Sequence, residues 1–272
     1  MEVFAPPQMR AVLSLTGSDS FSFLQGMITN DLELLATQNA IYAAFLSPQG
    51  KVLQTFFVVS DGTGGFLLDC ANGDFGSFVK RLTMFRLRAD VIILDVSAHW
   101  QTGLSAGPVS VENAISFADP RNSALGFRHI IPTKDAKPKP ATPEFLAIRF
   151  AHFTPEQDLD FASGEVFVTD INMDLQNGIA WRKGCYVGQE VVSRVRRRGT
   201  IRKRICLAGF TGAPPAPGTL IFAGKAKLGH ICSNYGTEAL AMIRTDRLHQ
   251  TSEPITAADM PLTLHPPKEI DL

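Results

Sequence analysis

The stretch from Trp181 to Arg194 concentrates the side chains that could do chemistry. Within it, Cys185 follows Arg182 and Lys183, and cations beside a thiol favour the thiolate, the form of cysteine that attacks and binds metals. If the stretch is helical, a helix N-terminus nearby would favour the thiolate further. The sequence therefore marks Cys185 as a candidate reactive thiol. The plain alternative, a small and inert core residue, stays open because free cysteines are usually buried.

Two glycines frame this cysteine. Gly184 and Gly188 would share one face of a helix and leave bare backbone that another group can approach. In the same helix, Cys185 and Gln189 would share a neighbouring face. A tight turn with no ligand would explain the two glycines equally well.

Charge is separated along a chain whose formal net charge is zero. The stretch 144–174 holds seven acids and one base, whereas 191–237 holds nine bases and no acid. Seven of these cations fall between Arg194 and Arg204. A solvated surface balanced by its acidic neighbour would account for the pattern, and so would a binding site for an anion.

Short apolar segments separated by turns predict the scaffold that positions these residues. Ser18-Asp19-Ser20 predicts the start of a short helix that ends near Gly26. Apolar residues recurring every three or four positions over 75–85 predict a second helix, and 89–96 returns to a strand. The order of elements predicts an α+β fold with helices on one side of an antiparallel sheet. The strands of the predicted meander are 41–46, 52–60 and 66–69.

The texture of the chain changes past Gly199, where short strands alternate with turns rich in Gly and Pro. Several short strands at this spacing predict a small sandwich or barrel. We therefore divide the chain into an N-terminal domain, 1–198, and a C-terminal β-barrel domain, 199–272. The predicted barrel strands are 205–210, 219–222, 228–233, 239–243 and 262–265.

Composition narrows the class of protein. A hydrophobic content of 45% allows a sizeable core, and 26 basic against 26 acidic residues argue against a protein that coats nucleic acid. No apolar run reaches the roughly 20 residues of a membrane helix, and the first residues lack the features of a secretory signal. The four cysteines and six histidines are scattered, so we expect no metal site. We expect a soluble, cytoplasmic protein that does not bind membranes.

The motif Lys183-Gly184-Cys185-Tyr186-Val187-Gly188-Gln189-Glu190 resembles, at every position, the signature of the YgfZ-type folate-binding proteins. These proteins are relatives of the glycine-cleavage T-protein, an aminomethyltransferase. The resemblance extends over most of the chain. It also includes Gly17-Ser18-Asp19, Phe23-Leu24-Gln25-Gly26, Thr29-Asn30-Asp31-Leu32, Leu46-Ser47-Pro48-Gln49-Gly50-Lys51, and Asp119-Pro120-Arg121.

This resemblance implies an aminomethyltransferase-like N-terminal region that binds tetrahydrofolate in a central funnel, followed by the small barrel. It implies a role in assembly or repair of iron–sulfur clusters of the [4Fe–4S] type, with iron–sulfur client or assembly proteins as partners. Cys185 is then the key catalytic residue, and Lys183 would tune its thiolate. The residues expected to bind folate are Asn30, Asp31, Tyr186, Gln189, Glu190, Arg194 and Arg196.

One departure separates this chain from the aminomethyltransferases. They carry adjacent aspartates after the glycine turn, whereas the aligned residues here, Gly50 to Thr55, include no carboxylate. Proton transfer needs a group that holds and releases a proton, and Gln54 cannot do this. The leading interpretation is therefore an accessory protein, and whether it is also an enzyme stays open. The second interpretation is a folate-dependent one-carbon (aminomethyl) transferase or demethylase with Asp31 as its acid.

The basic stretch adds a ligand and a third interpretation. Arginine suits bidentate pairing with carboxylates, so Arg194 and Arg196 are candidates for the glutamate tail of folate, single or polyglutamylated. If the stretch is a strand, Arg194, Arg196 and Arg198 share one face while Arg197 points away. The third interpretation is an RNA-modification-related binding protein that uses Arg194 to Arg204. The zero net charge and the lack of interleaved aromatic residues argue against nucleic acid as a partner.

Overall fold

The computed structural model of the protein describes residues 2–135, 138–199 and 201–267. Two five-stranded sheets and a closed six-stranded barrel make up its β-structure. The helices are α1 (Ser20–Gln25), α2 (Phe75–Arg86), α3 (Pro143–Ala151), α4 (Gln189–Arg198) and α5 (Thr245–Leu248), with 3-10 turns at Leu32–Ala36 and Ser123–Leu125. The strands are β1 (Phe4–Ala5), β2 (Arg10–Thr16), β3 (Ile41–Leu46), β4 (Val52–Ser60), β5 (Phe66–Ala71), β6 (Ile92–Asp95), β7 (Trp100–Ser105), β8 (Ile115–Ala118), β9 (Phe127–Pro132), β10 (Lys139–Pro140), β11 (Arg204–Phe210), β12 (Leu220–Ala223), β13 (Ala226–Tyr235), β14 (Glu238–Ile243), β15 (Ile255–Ala257) and β16 (Met260–His265).

The first sheet is antiparallel throughout and has the strand order β3-β4-β5-β2-β6. Its central strands are apolar at nearly every position because both faces are buried. Helices α1 and α2 cover one face, where Phe78 stacks on Phe56 with ring centroids 5.5 Å apart. This layer confirms the predicted α+β arrangement, with helices on one side of an antiparallel sheet.

The second sheet faces the uncovered side of the first. Its order is β10-β1-β7-β9-β8, with β1 and β10 parallel and the other pairs antiparallel. The two sheets share one apolar core, in which Phe57 of β4 and Phe117 of β8 lie 6.2 Å apart. The sequence did not predict this sheet, because its strands are short and partly polar.

The C-terminal strands close into an antiparallel barrel with the order β11-β14-β13-β12-β15-β16. Its interior is lined by small and branched apolar residues, and Cys206 and Cys232 are both buried. Leu240 and Met242 extend from β14 into the core of the N-terminal sheets. The predicted barrel is therefore confirmed, and β15 is a strand that the sequence reading missed. The boundary at residue 199 stays a prediction.

The structure decides two local conformations that the sequence left open. The segment from Trp181 to Gly188 is a loop, not a helix, and α4 begins only at Gln189. The residues from Arg194 to Arg198 are helical, so their side chains do not alternate as in a strand. The physical reason lies in the two glycines that flank α4, since Gly188 and Gly199 take left-handed φ values of 82° and 64° and so mark its two ends. None of the described helices is long and apolar enough to cross a bilayer.

Candidate functional site

Cys185 lies exposed on the loop before α4, whereas Cys70, Cys206 and Cys232 are buried. Burial raises the pKa of Cys70 well above its usual range and raises the pKa of Cys206 and of Cys232 to about 12. These three thiols stay protonated and shielded at physiological pH. Cys185 is therefore the one cysteine in the described part of the chain that can meet a partner, and the inert-core alternative is wrong for it.

The loop that carries Cys185 is anchored by Lys183. The Nζ atom of Lys183 donates to the carbonyl oxygens of Gln25, Ile28 and Asn30 at 2.7, 2.9 and 2.6 Å. Burial lowers the pKa of Lys183 to about 8, although the nearby carboxylate of Asp31 raises it. The ammonium of Lys183 therefore ties the loop to the 25–30 segment. Every hydrogen bond that Nζ makes in the described structure is to that segment, which gives Lys183 a positioning role.

The other end of the loop is fixed by close contact between two turns. A Cβ atom added to Gly188 would lie 2.7 Å from the carbonyl oxygen of Ser47 and 3.3 Å from Cα of Gly50. Gly50 is equally restricted, because an added Cβ would lie 2.8 Å from Cβ of Val191. Both positions need glycine for space and for their positive φ. By contrast, nothing lies near an added Cβ at Gly184, so the backbone beside Cys185 is open.

The amides and carboxylate of the Asn30-Asp31 block are engaged within the protein. The Nδ2 atom of Asn30 donates to the carbonyl oxygens of Tyr42 and Asn177 at 2.8 and 2.7 Å. The Oδ1 atom of Asp31 accepts from the side chain of Gln25 at 2.7 Å and caps the following 3-10 turn. These contacts make the block the base on which the Lys183 anchor is built. Both hydrogens of the Asn30 amide nitrogen are therefore already engaged in these hydrogen bonds.

The remaining polar residues of the signature differ in burial. Tyr186 is buried with its ring 5.3 Å from Nζ of Lys183, and burial raises its pKa to about 12. The Nε2 atom of Gln189 donates to the carbonyl oxygen of Gly184 at 3.4 Å and closes the loop on itself. Glu190 is exposed in the first turn of α4, where a carboxylate suits the helix dipole.

A cavity of about 620 Å³ lies beside α4. Four cations line it beside several apolar side chains and one carboxylate, Asp170, so the cations outnumber the acid and the chemistry suits an anion with an apolar body. Arg194 lines it, but Cys185, Asn30 and Asp31 are not among its described lining residues. Its lining is formed by Lys51, Phe167, Thr169, Asp170, Val191, Arg194, Val195, Ile201, Arg202 and Lys203.

The basic stretch does not form one continuous face. The Cζ atom of Arg196 lies 4.3 Å from the centre of the Trp181 ring, so this guanidinium stacks on the loop. Arg204 is buried and pairs with Asp174 at 2.6 Å. The acidic segment therefore neutralises one end of the stretch, as one of the sequence interpretations held. Of the predicted anion-binding arginines, the cavity includes Arg194 and not Arg196.

A second charged cluster lies between the two sheets, and sequence reading missed it. Three guanidinium groups and three carboxylates pair within 2.6–3.9 Å of one another. All six side chains are buried, with Phe57 under the guanidinium groups. The signal for it was Asp69, a carboxylate inside an otherwise apolar strand. The cluster, which we call the arginine–carboxylate network, is Arg10, Asp69, Asp119, Arg121, Arg128 and Glu156.

The network lies between the two sheets and fills this part of the N-terminal region with paired charges. A hollow of about 220 Å³ beside Arg121 and Gln176 is smaller than the roughly 300–1,000 Å³ typical of small-molecule sites. Gln54, at the position of the aminomethyltransferase aspartates, is fully buried and its Nε2 atom donates to the carbonyl oxygen of Ala71 at 2.9 Å. This hollow is thus small for a folate, and the position of the aminomethyltransferase aspartates offers no free acid. Across the described residues, no group of three His, Cys, Asp or Glu side chains could hold a metal ion.

Comparison with known proteins supports the fold and narrows the function. A family model for the CAF17 C-terminal beta-barrel domain matches residues 202–271. The aminomethyltransferase T of the Bartonella henselae glycine cleavage system superimposes with a TM-score of 0.73 over 94% of this chain and 82% of that one. At 10% identity this similarity shows the fold alone. The aminomethyltransferase-like fold with a C-terminal barrel is thereby confirmed.

The proteins with similar sequences are named for one function, iron-sulfur cluster assembly. The chain is 30% identical over 232 residues to the iron-sulfur cluster assembly factor IBA57 homolog of Mycosarcoma maydis, and 32% identical over 236 residues to that of Neurospora crassa. Each alignment covers 76% of this chain but only 57% and 54% of the relative, so the chain spans little more than half of those proteins. IBA57 of Homo sapiens is 28% identical over 274 residues, covering 88% of this chain and 76% of the human protein. The relatives are thus named IBA57, not YgfZ.

These names also contradict the expected cytoplasmic location. The fungal and human relatives are all named mitochondrial proteins. The cytoplasmic prediction is therefore wrong. It rested on missing secretory and membrane signals, and these do not distinguish one non-secretory compartment from another.

Proposed function

We propose that the chain is an iron–sulfur cluster assembly factor in which Cys185 meets the cluster or the thiol of a partner protein. The observation that carries this proposal is the contrast among the cysteines, since one is exposed on an anchored loop and three are buried. The names of the IBA57 relatives point to the same function. The relatives' names also support a mitochondrial setting for the proposed activity.

The residues around Cys185 position it and do not enclose it. Lys183 ties one side of the loop to the 25–30 segment, while Gly188 presses the other side against the 47–50 turn. The thiol therefore projects from a loop held at both ends. One cysteine cannot supply the four ligands of a cluster, so the cluster is cargo and a partner must supply the other thiolates.

The proposal extends to tetrahydrofolate, whose fit we judge from the cavity beside α4. The cavity lies within the usual range for small-molecule sites, and Lys51, Arg194, Arg202 and Lys203 would hold the carboxylates of a glutamate tail. Val191, Val195 and Ile201 offer apolar contact for the flat part of the molecule, since the Nζ atom of Lys51 already lies 3.8 Å from the centre of the Phe167 ring. When bound, tetrahydrofolate supplies nitrogen atoms that carry one-carbon groups. In this proposal the folate lies beside α4 and away from the Asn30-Asp31 block.

The test of the central proposal is Cys185→Ser in cells that lack their own copy of the protein. Because the side chain is exposed, the variant should fold normally while the activities of [4Fe–4S] enzymes fall at least fivefold. The matched control is Cys232→Ala, which removes a buried thiol and should leave those activities near the wild-type level. Normal [4Fe–4S] enzyme activities with Cys185→Ser would refute the proposal.

The folate proposal is tested separately by calorimetric titration with tetrahydrofolate and its polyglutamate. The double variant Arg194→Ala/Arg202→Ala should weaken binding of the polyglutamate at least tenfold, since two charge-assisted contacts are lost. Arg197→Ala, an exposed neighbour on α4 that does not line the cavity, is the control. Absence of heat with either ligand, or equal binding by the double variant, would exclude this site.

A further inference from the structure

An apolar groove runs along the C-terminal end of α2. Its volume is about 450 Å³, and all but one of its lining residues are apolar. It lies at the surface, and none of its lining residues lines the cationic cavity beside α4. The lining consists of Phe45, Leu46, Pro48, Leu53, Arg81, Met84, Phe85 and Leu87.

The rim of the groove exposes large apolar side chains that the fold does not need at the surface. Met84 is 68% exposed, Phe85 41% and Leu87 85%. Leu87 is also held at φ 48° and ψ −108°, a conformation that a leucine rarely adopts. A strained backbone that presents an apolar side chain to water adds no stability, which points to a role in binding.

The groove adjoins the Cys185 loop. Leu46 lines the groove, and its Cβ atom lies 3.0 Å from the position that a Cβ on Gly188 would take. Pro48, also in the lining, belongs to the 47–50 turn that Gly188 contacts. A molecule seated in the groove would therefore share this turn with the loop that presents the thiol.

Charge indicates what would sit there. Residues 75–89 contain four cations and no acid, and Arg81 lines the groove itself. Arg86 and Arg88 are exposed at the same end of α2. An occupant that matches this surface presents apolar side chains flanked by carboxylates.

We propose that the groove docks a partner protein through an apolar segment flanked by Asp or Glu, and that this docking brings the partner's thiols to Cys185. The second half of this statement rests on the proposed function. The first half does not, because the groove, its exposed rim and its charge are independent of the chemistry at Cys185. Met84 and Leu87 would be the anchors, because they are the most exposed large apolar side chains of the lining and an occupant would remove them from water.

The experiment places a photoreactive benzoyl-phenylalanine at position 84 in living cells, with position 9 as the control. Met9 is 77% exposed but lies outside the groove lining, so it reports random contact. The partner captured at 84 is purified, and its binding to the full chain is measured. Leu87→Glu should weaken that binding at least tenfold and Arg81→Glu severalfold, while Met9→Glu leaves it unchanged. The captured segment should contain apolar residues next to Asp or Glu.

Leu87→Gly sharpens the test, since glycine relieves the positive φ and removes the apolar anchor together. We expect a melting temperature equal to or above that of the wild type, but weaker partner binding. No specific capture at position 84, capture of a second copy of this chain, a captured segment without acids, or full binding by Leu87→Glu would overturn the proposal.

The two proposals fail in different ways. If Cys185→Ser lowers [4Fe–4S] enzyme activities but Leu87→Glu binds its partner normally, the docking surface is wrong and the function stands. If Leu87→Glu abolishes binding while Cys185→Ser leaves enzyme activities unchanged, the surface stands and the function is wrong. Alkylation of Cys185 by iodoacetamide should proceed at the wild-type rate in Leu87→Glu, which shows that the loop is intact.

Discussion

Two of the places where the protein buries cations satisfy those cations in opposite ways. In the arginine–carboxylate network, three guanidinium groups face three carboxylates, so the cluster is neutral and complete within itself. At the Cys185 loop, the ammonium of Lys183 meets three backbone carbonyl oxygens and no carboxylate within ion-pair distance among the described residues. The first arrangement holds two sheets together. The second keeps a buried positive charge in the anchor of the loop that presents an exposed thiol.

The difference separates a region whose charges are fixed by pairing from a region whose charge can change. A neutral network has no charge left to offer a ligand, and breaking it leaves a buried charge unpaired. A lone ammonium held by carbonyls can lose its proton near physiological pH, because burial lowers its pKa to about 8. The network is thus a structural element, while the Lys183 anchor can respond to its surroundings.

The largest expected effect follows from breaking the network with Glu156→Gln. Burial raises the pKa of Glu156, but the facing Arg121, Arg128 and Arg10 outweigh it and hold that pKa well below its usual range. Removing this charge leaves three guanidinium groups with two carboxylates. We expect the free energy of unfolding to fall by about 3–5 kcal/mol, measured by urea denaturation.

The control for that change is Glu190→Gln, which neutralises an exposed glutamate on α4. Surface substitutions of this kind usually change stability by less than about 0.5 kcal/mol. Equal losses in both variants would show that net charge, not the network, sets the stability of this region.

Lys183→Met should lower the free energy of unfolding by a smaller amount. The change keeps much of the side-chain length but leaves the carbonyl oxygens of Gln25, Ile28 and Asn30 without their donor. Unsatisfied buried acceptors of this kind cost about 1–3 kcal/mol, part of which is regained because no charge is buried. Urea denaturation should show this loss, and Cys185 should be alkylated at a changed rate because its loop is released. Wild-type stability together with wild-type alkylation would contradict the anchoring role.

How far the sequence predicts these two regions differs for a physical reason. The apolar strands of the first sheet and barrel were predictable because short apolar runs bounded by turn residues are local features of the chain. The Cys185 motif was found because its residues are adjacent. The network draws on positions from 10 to 156, and only the tertiary fold brings them together. Sequence spacing alone does not reveal that three arginines face three acids.

The Cys185 loop itself shows what local patterns leave open. The glycines and the cysteine were identified, but the sequence left open whether 181–188 is helical. The structure shows a loop there, because Gly188 takes a left-handed conformation and α4 starts after it. That Lys183 reaches back to the 25–30 segment depends on a contact across more than 150 positions. The same holds for the cavity, which joins Lys51 to Arg202.

The pH dependence of stability should distinguish the Lys183 anchor from the arginine–carboxylate network. Below about pH 8 both folded and unfolded chains hold the Lys183 proton, and the cost of burying the charge is complete. Between about 8 and the ordinary value of 10.5, the unfolded chain binds more protons than the folded one, so stability rises with pH. Relative to Lys183→Met, the wild type should gain about 1–2 kcal/mol over this range, after allowance for partial solvent screening. A flat or falling difference between the two urea curves would contradict the lowered pKa.

The smallest effect is expected at a third cation, whose guanidinium contacts an aromatic ring. The guanidinium of Arg196 stacks on Trp181 at the outer side of the loop, at 4.3 Å from the ring centre. Because this contact is exposed, Arg196→Ala should lower the free energy of unfolding by only about 0.5–1 kcal/mol. It should also shift the fluorescence of Trp181, since the ring loses a neighbouring charge. The matched control is Arg197→Ala, one position along the helix and exposed, which should change neither quantity. If both variants behaved alike, the stack would contribute nothing, and the loop would depend on Lys183 and Gly188 for its position.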